Sequence, residues 1–294
     1  MRILVTGAAG FLGACITEQG VKAGHSVVAI ARSKLPYFLN DLKNLEFQKC
    51  DLVNTIPNGQ DYDLIVHCAA SIPSREPNPD LLFDYNVKMG KSVVSCARNC
   101  SSTTIINMSS MSAFGPINEE EVNEKTPTNP QDAYGKSKLL VEGFIRDWCS
   151  ETGGVGVSMR LPGMVGGRSH ANFMSNLAEQ LIRKEPVVVT NPDGFFNNIV
   201  YGYDLAQFVI DRGKNIPSGY KTLTIASDNA LLVREAVERV ATAAGASLDL
   251  INYKLSKTKP FMIRFDEIQA LGYQPASVES SIDRFVNDKN ALLR

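Results

Sequence analysis

The first thirteen residues, MRILVTGAAGFLG, join a short apolar stretch directly to three regularly spaced glycines. Residues 2–6 have strand character, and a helical pattern begins after the glycines. Gly7 allows the chain to turn sharply, Gly10 allows the backbone to approach a pyrophosphate, and Gly13 allows the helix to pack closely on the sheet. The helix would direct its free N–H groups and positive dipole end at the phosphates. This context predicts a dinucleotide site at Gly7, Gly10, Phe11, Leu12 and Gly13.

Apolar strands and helices alternate through the first half of the chain. The pattern predicts strands at 3–6, 26–31, 45–49, 64–67, 104–108 and 155–161, with helices at 11–22, 81–98 and 133–149. Strands that are apolar throughout and separated by helices indicate a parallel sheet covered on both faces. The sequence therefore predicts an α/β fold with a doubly wound parallel sheet, whose ligands bind at the carboxyl ends of the strands.

Composition argues against several classes of partner. The 294 residues carry a net charge of −1, which gives no electrostatic reason to expect nucleic acid or a membrane surface as partner. The sequence contains neither a signal-peptide pattern at its start nor an apolar run of the roughly 18 residues that a membrane span needs. We therefore expect a cytoplasmic protein. Six cysteines and three histidines lack ligand spacing, so we expect reduced thiols and no metal.

A second motif, Y-G-K-S-K, places Tyr134 and Lys138 four residues apart on a predicted helix, and therefore on one face. A nearby ammonium favours the phenolate and would move the pKa of Tyr134 toward neutral pH. Ser110, in NMSSMSAFG, lies at the end of a predicted strand, 24 residues before Tyr134.

The form T-G-x-x-G-x-x-G resembles the short-chain dehydrogenase/reductase superfamily, and the rest of the chain resembles its extended branch, the NAD-dependent epimerase/dehydratase group. The resemblance implies a Rossmann-type domain at 1–165 and a substrate-binding lobe at 166–294, with segments at about 196–226 returning to the first domain. It also implies a homodimer that pairs through the two helices at 81–98 and 133–149. Ser110, Tyr134 and Lys138 would be catalytic: Ser110 would bind the substrate oxygen, and Lys138 would also bind the nicotinamide ribose.

The end of the second strand bears on cofactor preference. NAD-using relatives carry an acidic residue there, whereas this chain has Ala31 followed by Arg32, which favours NADP(H) and leaves NAD(H) possible. Arg32 could instead stack on the adenine or face solvent. Asp51 matches an adenine-binding aspartate, although an aspartate after a strand is also a common turn residue. Further residues that the resemblance places at the cofactor are Leu52, Ala69, Ala70, Asn86 and Pro162. His67 is interpreted as a packed strand residue.

The implied substrate is a nucleotide-linked sugar, with Ser71, Ser112 and Asn172 as candidate substrate-binding residues. Asn197 and Asn198 stand where relatives often have an arginine facing the nucleotide phosphates, and Asp204 is interpreted as a helix N-cap.

Three reactions compete within the family. Dehydration needs an acidic pair where this chain has Met111 and Ser112, which leaves epimerisation and ketone reduction. Ala31 and Arg32 favour an NADPH-dependent reductase, because epimerases usually retain NAD. A reductase of a non-sugar carbonyl and a non-catalytic NADP-sensing protein are the alternatives.

Overall fold

The computed structural model describes residues 1–57, 61–100, 102–213, 215–256 and 259–293. The strands are β1 Arg2–Thr6, β2 Ser26–Ala31, β3 Leu45–Lys49, β4 Leu64–His67, β5 Thr104–Ser110, β6 Glu121–Val122, β7 Val155–Leu161, β8 Gly163–Val165, β9 Val187–Thr190, β10 Phe195–Phe196, β11 Ile199–Tyr201, β12 Gly219–Thr224, β13 Leu231–Leu232, β14 Ile251–Lys254 and β15 Met262–Ile263. The helices are α1 Phe11–Lys22, α2 Pro79–Asn99, α3 Ala133–Thr152, α4 Phe173–Ile182, α5 Gly202–Arg212, α6 Val233–Ala243, α7 Asp266–Ala270 and α8 Val278–Leu293.

The chain forms two units. The first comprises Met1–Pro116, Pro127–Arg160 and Ala206–Leu223, and the second comprises Ile117–Thr126, Leu161–Leu205 and Thr224–Arg294. That the first binds the cofactor and the second the substrate stays a prediction.

A seven-stranded sheet forms the centre of the first unit, in the order β12-β7-β5-β4-β1-β2-β3. β1 pairs in parallel with β2 and β4, and the pairs β2–β3 and β4–β5 are also parallel. The strand order reverses between β1 and β4, and such a switch point opens a crevice at the carboxyl edge of a sheet. The predicted α/β fold with a doubly wound parallel sheet is confirmed.

Burial explains why the first strands read as continuous apolar runs. Every residue of β4 is buried, as are Ile3 to Thr6 of β1, because helices cover both faces of the sheet. β3 lies at the edge and carries the exposed side chains of Glu46, Phe47 and Lys49. The first turns of α2 and α3 are fixed by side-chain caps: Asn78 accepts from the amides of Asp80 and Leu81, and Asp132 accepts from that of Gly135.

The described residues of the second unit form four small two-stranded pairings. The pairs β8–β11, β9–β14 and β6–β15 are parallel, and β10–β13 is antiparallel. Helices α4, α6 and α8 contribute to an apolar core that includes Leu181, Val237 and Phe285. No helix among the residues that the structure describes is long and apolar enough to cross a membrane.

Several local expectations differ from the structure: α2 Pro79–Asn99 and α3 Ala133–Thr152 extend beyond the helices predicted at 81–98 and 133–149. β5 continues to Ser110, two residues beyond the predicted end at 108. The sequence predicts Asp204 as an N-cap, but in the structure it lies inside α5 and accepts two hydrogen bonds of 2.8 Å from Arg284 of α8. The guanidinium also lies 3.8 Å from the centroid of the Tyr201 ring. The charge partner is 80 residues away in sequence, and so local pattern could not reveal it.

Candidate active site

The glycine loop connects β1 to α1 in a way that demands glycine at two of its three positions. Gly7 has a φ of 69°, and a Cβ there would lie 2.6 Å from the amide nitrogen of Ala69. A Cβ at Gly13 would lie 2.3 Å from the Gly7 carbonyl oxygen. A Cβ at Gly10 would meet a single atom within 4 Å, that same oxygen at 3.2 Å. Packing within the protein therefore explains Gly7 and Gly13 better than Gly10.

The N-terminus of α1 is open to an anion. Its N-cap is Gly10, which offers no side chain to the first amides of the helix, Phe11 and Leu12 among them. The first helical hydrogen bond runs from the Ala14 amide to the Gly10 carbonyl, at 2.9 Å. An uncapped helix start beside a glycine whose missing Cβ leaves room is what a pyrophosphate requires. The residues present therefore fit a dinucleotide cofactor.

The carboxyl end of β4 lies beside this loop. The Thr6 hydroxyl accepts a hydrogen bond of 3.3 Å from the Ala69 amide and lies 2.8 Å from Nδ1 of His67. Burial lowers the pKa of His67 to about 3, and the charge of Lys138 acts in the same direction. His67 is therefore neutral and packed, which agrees with its interpretation as a strand residue. Ala70 follows at the end of β4 and is half-buried.

Asn86 on α2 connects the loop after β4 to α3. Its Oδ1 accepts from the Ser71 amide at 2.7 Å, and its Nδ2 donates to the Ser71 carbonyl and to the Ser137 hydroxyl, both at 3.0 Å. Ser137 in turn donates to the Tyr134 carbonyl at 2.7 Å. Both N–H groups of Asn86 are thus used within the protein. Its place beside the cofactor stays a prediction, and the structure adds a role in holding the loop and α3 together.

The three predicted catalytic residues come together at the end of β5. The hydroxyl of Tyr134 lies close enough to Ser110 for the serine to act on its pKa. One turn further along α3, Nζ of Lys138 donates to the carbonyl of Met108 at 2.8 Å and lies 5.6 Å from the centroid of the Tyr134 ring. Their grouping follows from helical spacing on α3 and the end of one parallel strand.

Burial raises the pKa of Tyr134 to about 12. Ser110 opposes this rise, and the carboxylate of Asp132 adds to it. The sequence predicted that Lys138 would move this pKa toward neutral pH, and that expectation is wrong for the structure. The lysine ammonium is held at a strand carbonyl and faces the ring of Tyr134, and the loss of solvent around the phenol dominates.

Burial also lowers the pKa of Lys138, to about 8. The negative forms of Cys68 and Glu142 act in the opposite direction and favour the ammonium. Lys138 is therefore buried and mainly protonated at neutral pH, a combination common in functional sites.

Glu142, a further turn along α3, also contacts β5 and was missed in the sequence. Its carboxylate accepts from the Ser109 hydroxyl at 2.6 Å, and from Nε and Nη2 of Arg160 at 3.1 and 2.8 Å. The Arg160 guanidinium lies 4.5 Å from the centroid of the Phe114 ring. The sequence did contain a signal for Glu142, because it lies four residues after Lys138, just as Lys138 lies four residues after Tyr134, and the three share one face of α3. We call the contacts of residues 108–110 with α3 the β5–α3 junction.

Ser112 lies in the short 3₁₀ turn after β5. The Ser110 hydroxyl donates to the Ser112 hydroxyl at 3.2 Å, and the Ser112 amide donates back to Oγ of Ser110 at 3.1 Å. A Cβ on Gly135 would lie 2.2 Å from the Ser112 carbonyl oxygen, so this glycine lets α3 approach the turn. The structure therefore brings Ser112 next to Ser110, and its contact with substrate stays a prediction.

The remaining cofactor candidates of the first unit follow β2 and β3. Arg32 is exposed directly after the buried Ala31. Asp51 makes a turn, accepting from the Val53 amide at 3.2 Å and from the Asn54 side chain at 3.1 Å, and Leu52 is buried. Turn formation occupies only part of the carboxylate, which leaves it able to accept from an adenine. Over the described ranges there is no group of three metal-ligating side chains.

Three candidates belong to the second unit. Asn172 caps α4 by accepting from the Ser175 amide at 3.0 Å, and its Nδ2 donates to the Met164 and His170 carbonyls. Pro162 lies between β7 and β8.

Asn197 is buried, donates to the Ile263 carbonyl at 2.8 Å and accepts from the Ile263 amide at 3.0 Å. Its amide thus pairs with the backbone of β15 through one N–H and its oxygen, and it carries no charge to replace that of a phosphate-binding arginine.

A parallel sheet with an open helix start at its switch point, and a Ser-Tyr-Lys group at a neighbouring strand end, define an α/β fold with a candidate dinucleotide site. The chain belongs to the NAD dependent epimerase/dehydratase family, whose sequence model matches residues 3–209. The resemblance to the extended short-chain dehydrogenase/reductases is thereby confirmed, and with it membership of an enzyme family that uses a nicotinamide dinucleotide.

Known proteins of this family are similar along most of the chain. A UDP-glucose 4-epimerase of Streptomyces lividans is 22% identical over 271 residues, which cover 83% of this chain and 81% of that protein. A UDP-N-acetylglucosamine 4-epimerase of Methanobrevibacter ruminantium has the same fold, with a TM-score of 0.86, 17% identity, and coverage of 99% and 98%. The UDP-glucose 4-epimerase of Thermus thermophilus, solved as a complex with NAD, gives a TM-score of 0.80 at 21% identity, covering 99% of each chain.

Proposed function

We propose that this protein transfers hydride between a nicotinamide dinucleotide and a carbon bearing a hydroxyl or keto group on a nucleotide-linked sugar, as a 4-ketoreductase or an epimerase. The observation that carries the proposal is the hydroxyl pair of Ser110 and Tyr134 with the buried Lys138 behind it. A phenol and a second hydroxyl that lie side by side can both form hydrogen bonds with the same substrate oxygen.

Each of these residues has a distinct task. Tyr134 keeps its proton at neutral pH, since its pKa is about 12, and it donates this proton to the oxygen of a carbonyl that is being reduced. Ser110 orients that oxygen. Lys138 supplies positive charge beside the developing phenolate. A nicotinamide dinucleotide, held at the glycine loop and at the start of α1, supplies the hydride chemistry when bound.

The substrate class is supported by the relatives, which are named as epimerases of UDP-linked sugars. Asn197 lacks the positive charge of the arginine that relatives often have there, and its amide already bonds the backbone of Ile263, which favours a different partner for substrate phosphates. A reductase of a non-sugar carbonyl is therefore the second candidate. Dehydration remains disfavoured, because Met111 and Ser112 provide no carboxylate.

The first experiment identifies the nucleotide released when the purified protein is denatured without added cofactor. NAD at close to one per chain supports an epimerase, whose cofactor is reduced and reoxidised in place. An empty protein that binds NADPH supports a reductase, and a panel of keto-sugar nucleotides then follows. A protein that binds neither nicotinamide dinucleotide contradicts the proposal.

Turnover is tested with Tyr134→Phe. The variant should lose roughly 10²–10⁴-fold in kcat, because the proton donor is removed, while cofactor binding is kept. Tyr37→Phe is the matched control at an exposed tyrosine and should have full activity. Undiminished turnover by Tyr134→Phe would exclude this mechanism.

NADP(H) preference rests on Ala31 and the exposed Arg32. If Arg32 binds a 2′-phosphate, Arg32→Ala should weaken NADPH binding on the order of tenfold or more and leave NADH binding unchanged. Equal effects on both cofactors would assign Arg32 to adenine stacking. The homodimer and the cytoplasmic location likewise stay predictions from the sequence.

A further inference from the structure

Glu142 and Arg160 form an ion pair in the interior of the first unit. Their side chains are 4% and 5% exposed, and the carboxylate receives three hydrogen bonds, from Ser109 and twice from Arg160. Nη1 of Arg160 is buried without a hydrogen-bond partner. Such pairs contribute little net stability, because desolvation offsets the attraction, and apolar residues of similar size often serve as well. Stability therefore does not explain why charge is placed here.

The location of the pair suggests another role. Ser109 immediately precedes Ser110, and Glu142 lies two turns from Tyr134 on α3. The bond of 2.6 Å between Ser109 and Glu142 fixes the end of β5 against the helix, one peptide unit from Ser110, which acts on the pKa of Tyr134. Without this bond, the strand end and the helix could shift relative to each other, which would misplace the two hydroxyls.

The charge of Glu142 also acts on Lys138. The ionisable groups around this lysine are His67 and Cys68, from the end of β4, and Tyr134 and Glu142, from its own helix. His67 is neutral because of its burial. Burial raises the pKa of Cys68 to about 12, so this thiol is neutral as well. Glu142 is therefore the group that supplies negative charge to Lys138 at neutral pH.

We propose that Glu142 is a positioning residue for the catalytic group: its carboxylate anchors the strand end that carries Ser110 to the helix that carries Tyr134, and its charge holds Lys138 as an ammonium. This role rests on the proposed function of Ser110, Tyr134 and Lys138. Arg160 supports it by orienting the carboxylate and balancing its charge.

The electrostatic part is tested without substrate. In the full-length protein labelled with ¹⁵N-lysine, the Nζ signal of Lys138 is assigned by its loss in Lys138→Met and followed with pH. Glu142→Gln should lower the pKa of Lys138 on the order of one unit, because the nearby negative charge is removed. Ser109→Ala retains that charge and should leave the titration unchanged. An unchanged titration in Glu142→Gln would overturn the proposal.

Glu142→Gln leaves a buried guanidinium and could fail to fold. The double variant Glu142→Gln/Arg160→Met removes both charges and provides the second measurement. It should also titrate at lower pH than the wild type, because Glu142 is among the groups that raise the pKa of Lys138 and Arg160 is not among those that lower it. A titration equal to that of the wild type would again contradict the proposal.

The positioning part is tested by the kinetics of Ser109→Ala. The variant should lose on the order of tenfold in kcat with little change in KM, since the reacting groups are misplaced but the substrate still binds. Ser150→Ala, at an exposed serine of the same helix, is the control. A kcat of Ser109→Ala equal to that of the wild type would show that the bond between Ser109 and Glu142 does not position the reacting groups. If the wild type turns over no sugar nucleotide, the proposed function fails, and the lysine titration still decides the electrostatic part.

Discussion

The ammonium of Lys138 donates a hydrogen bond of 2.8 Å to the backbone carbonyl of Met108, inside the β5–α3 junction. Most buried lysines have a carboxylate beside them, whereas the closest partner here is a neutral strand carbonyl, with Glu142 acting from a turn away. Burial of the Lys138 ammonium therefore lowers the free energy of unfolding, and this destabilisation can be measured.

Replacement of Lys138 by Met should stabilise the protein at neutral pH. The pKa of Lys138 falls from 10.5 to about 8 on folding, so the unfolded state binds more protons between these values and stability rises with pH across that window. Below pH 8 the folded state bears the full cost of burying the charged lysine, about 3 kcal/mol. The hydrogen bond from Lys138 to Met108, which the Met variant loses, offsets part of this gain in stability. Urea unfolding of Lys138→Met should give a gain on the order of 2 kcal/mol that shrinks toward pH 10.5.

Lys136→Met, an exposed position on the same helix, should show no such gain. A Lys138→Met protein less stable than the wild type at neutral pH would mean that the lysine contributes to folding rather than opposing it.

His67 should govern part of the acid sensitivity of the first unit. Its pKa falls from 6.5 to about 3 on folding, so the unfolded state takes up the proton first and stability decreases as the pH falls through this range. His67→Gln, which can still bond the Thr6 hydroxyl, should lose roughly 3 kcal/mol less than the wild type between neutral pH and about pH 4. Parallel acid-unfolding curves for the two proteins would contradict the assignment.

Two glycines on α3 provide a matched test of the approach between the helix and Ser112. Gly135→Ala places a Cβ 2.2 Å from the Ser112 carbonyl, so the helix must shift, at a cost of roughly 1–3 kcal/mol and with loss of kcat. Gly143→Ala finds its nearest atom 3.7 Å away and should instead stabilise the helix by roughly 0.5–1 kcal/mol. Thermal unfolding and turnover of both variants test whether α3 packs closely against the Ser112 turn at Gly135. Equal stability changes would show that the helix is not in close contact with the turn.

The glycine loop allows folding and ligand binding to be separated. Gly10→Ala should fold with a melting temperature near that of the wild type and bind nicotinamide dinucleotides at least about tenfold more weakly, because its Cβ fills space that the protein leaves open. Gly13→Ala should be destabilised by roughly 1–3 kcal/mol, since its Cβ meets the Gly7 carbonyl oxygen. Isothermal titration and thermal melts distinguish the two. Unimpaired binding by Gly10→Ala would show that the pyrophosphate does not approach the backbone at Gly10.

Much of the first unit could be predicted from local pattern. Strands β2, β3, β4 and β7 and helix α1 have the predicted bounds, because buried parallel strands read as continuous apolar runs and the glycines mark the turn into the helix. The grouping of Tyr134 with Lys138 follows from helical spacing alone.

Features set by distant partners could not be predicted. In the sequence, Asn197 stands where relatives often have an arginine. Its hydrogen bond to Ile263 could not be predicted, because Ile263 is 66 residues away. The pKa of Tyr134 could not be predicted for a related reason. Sequence shows which charges are near along a helix, but the direction of the Lys138 side chain and the loss of water depend on tertiary packing.

The path of the chain between Ser110 and Tyr134 has a consequence for biosynthesis. After Ser110 the chain leaves the first unit at Pro116, contributes Ile117–Thr126 to the second unit and returns at Pro127, shortly before Tyr134. The strand Glu121–Val122 pairs with Met262–Ile263, which a ribosome adds roughly 140 residues later. At usual elongation rates this delay is on the order of ten seconds. The nascent protein must therefore keep this segment unpaired and protected from wrong partners until Met262 and Ile263 have been translated.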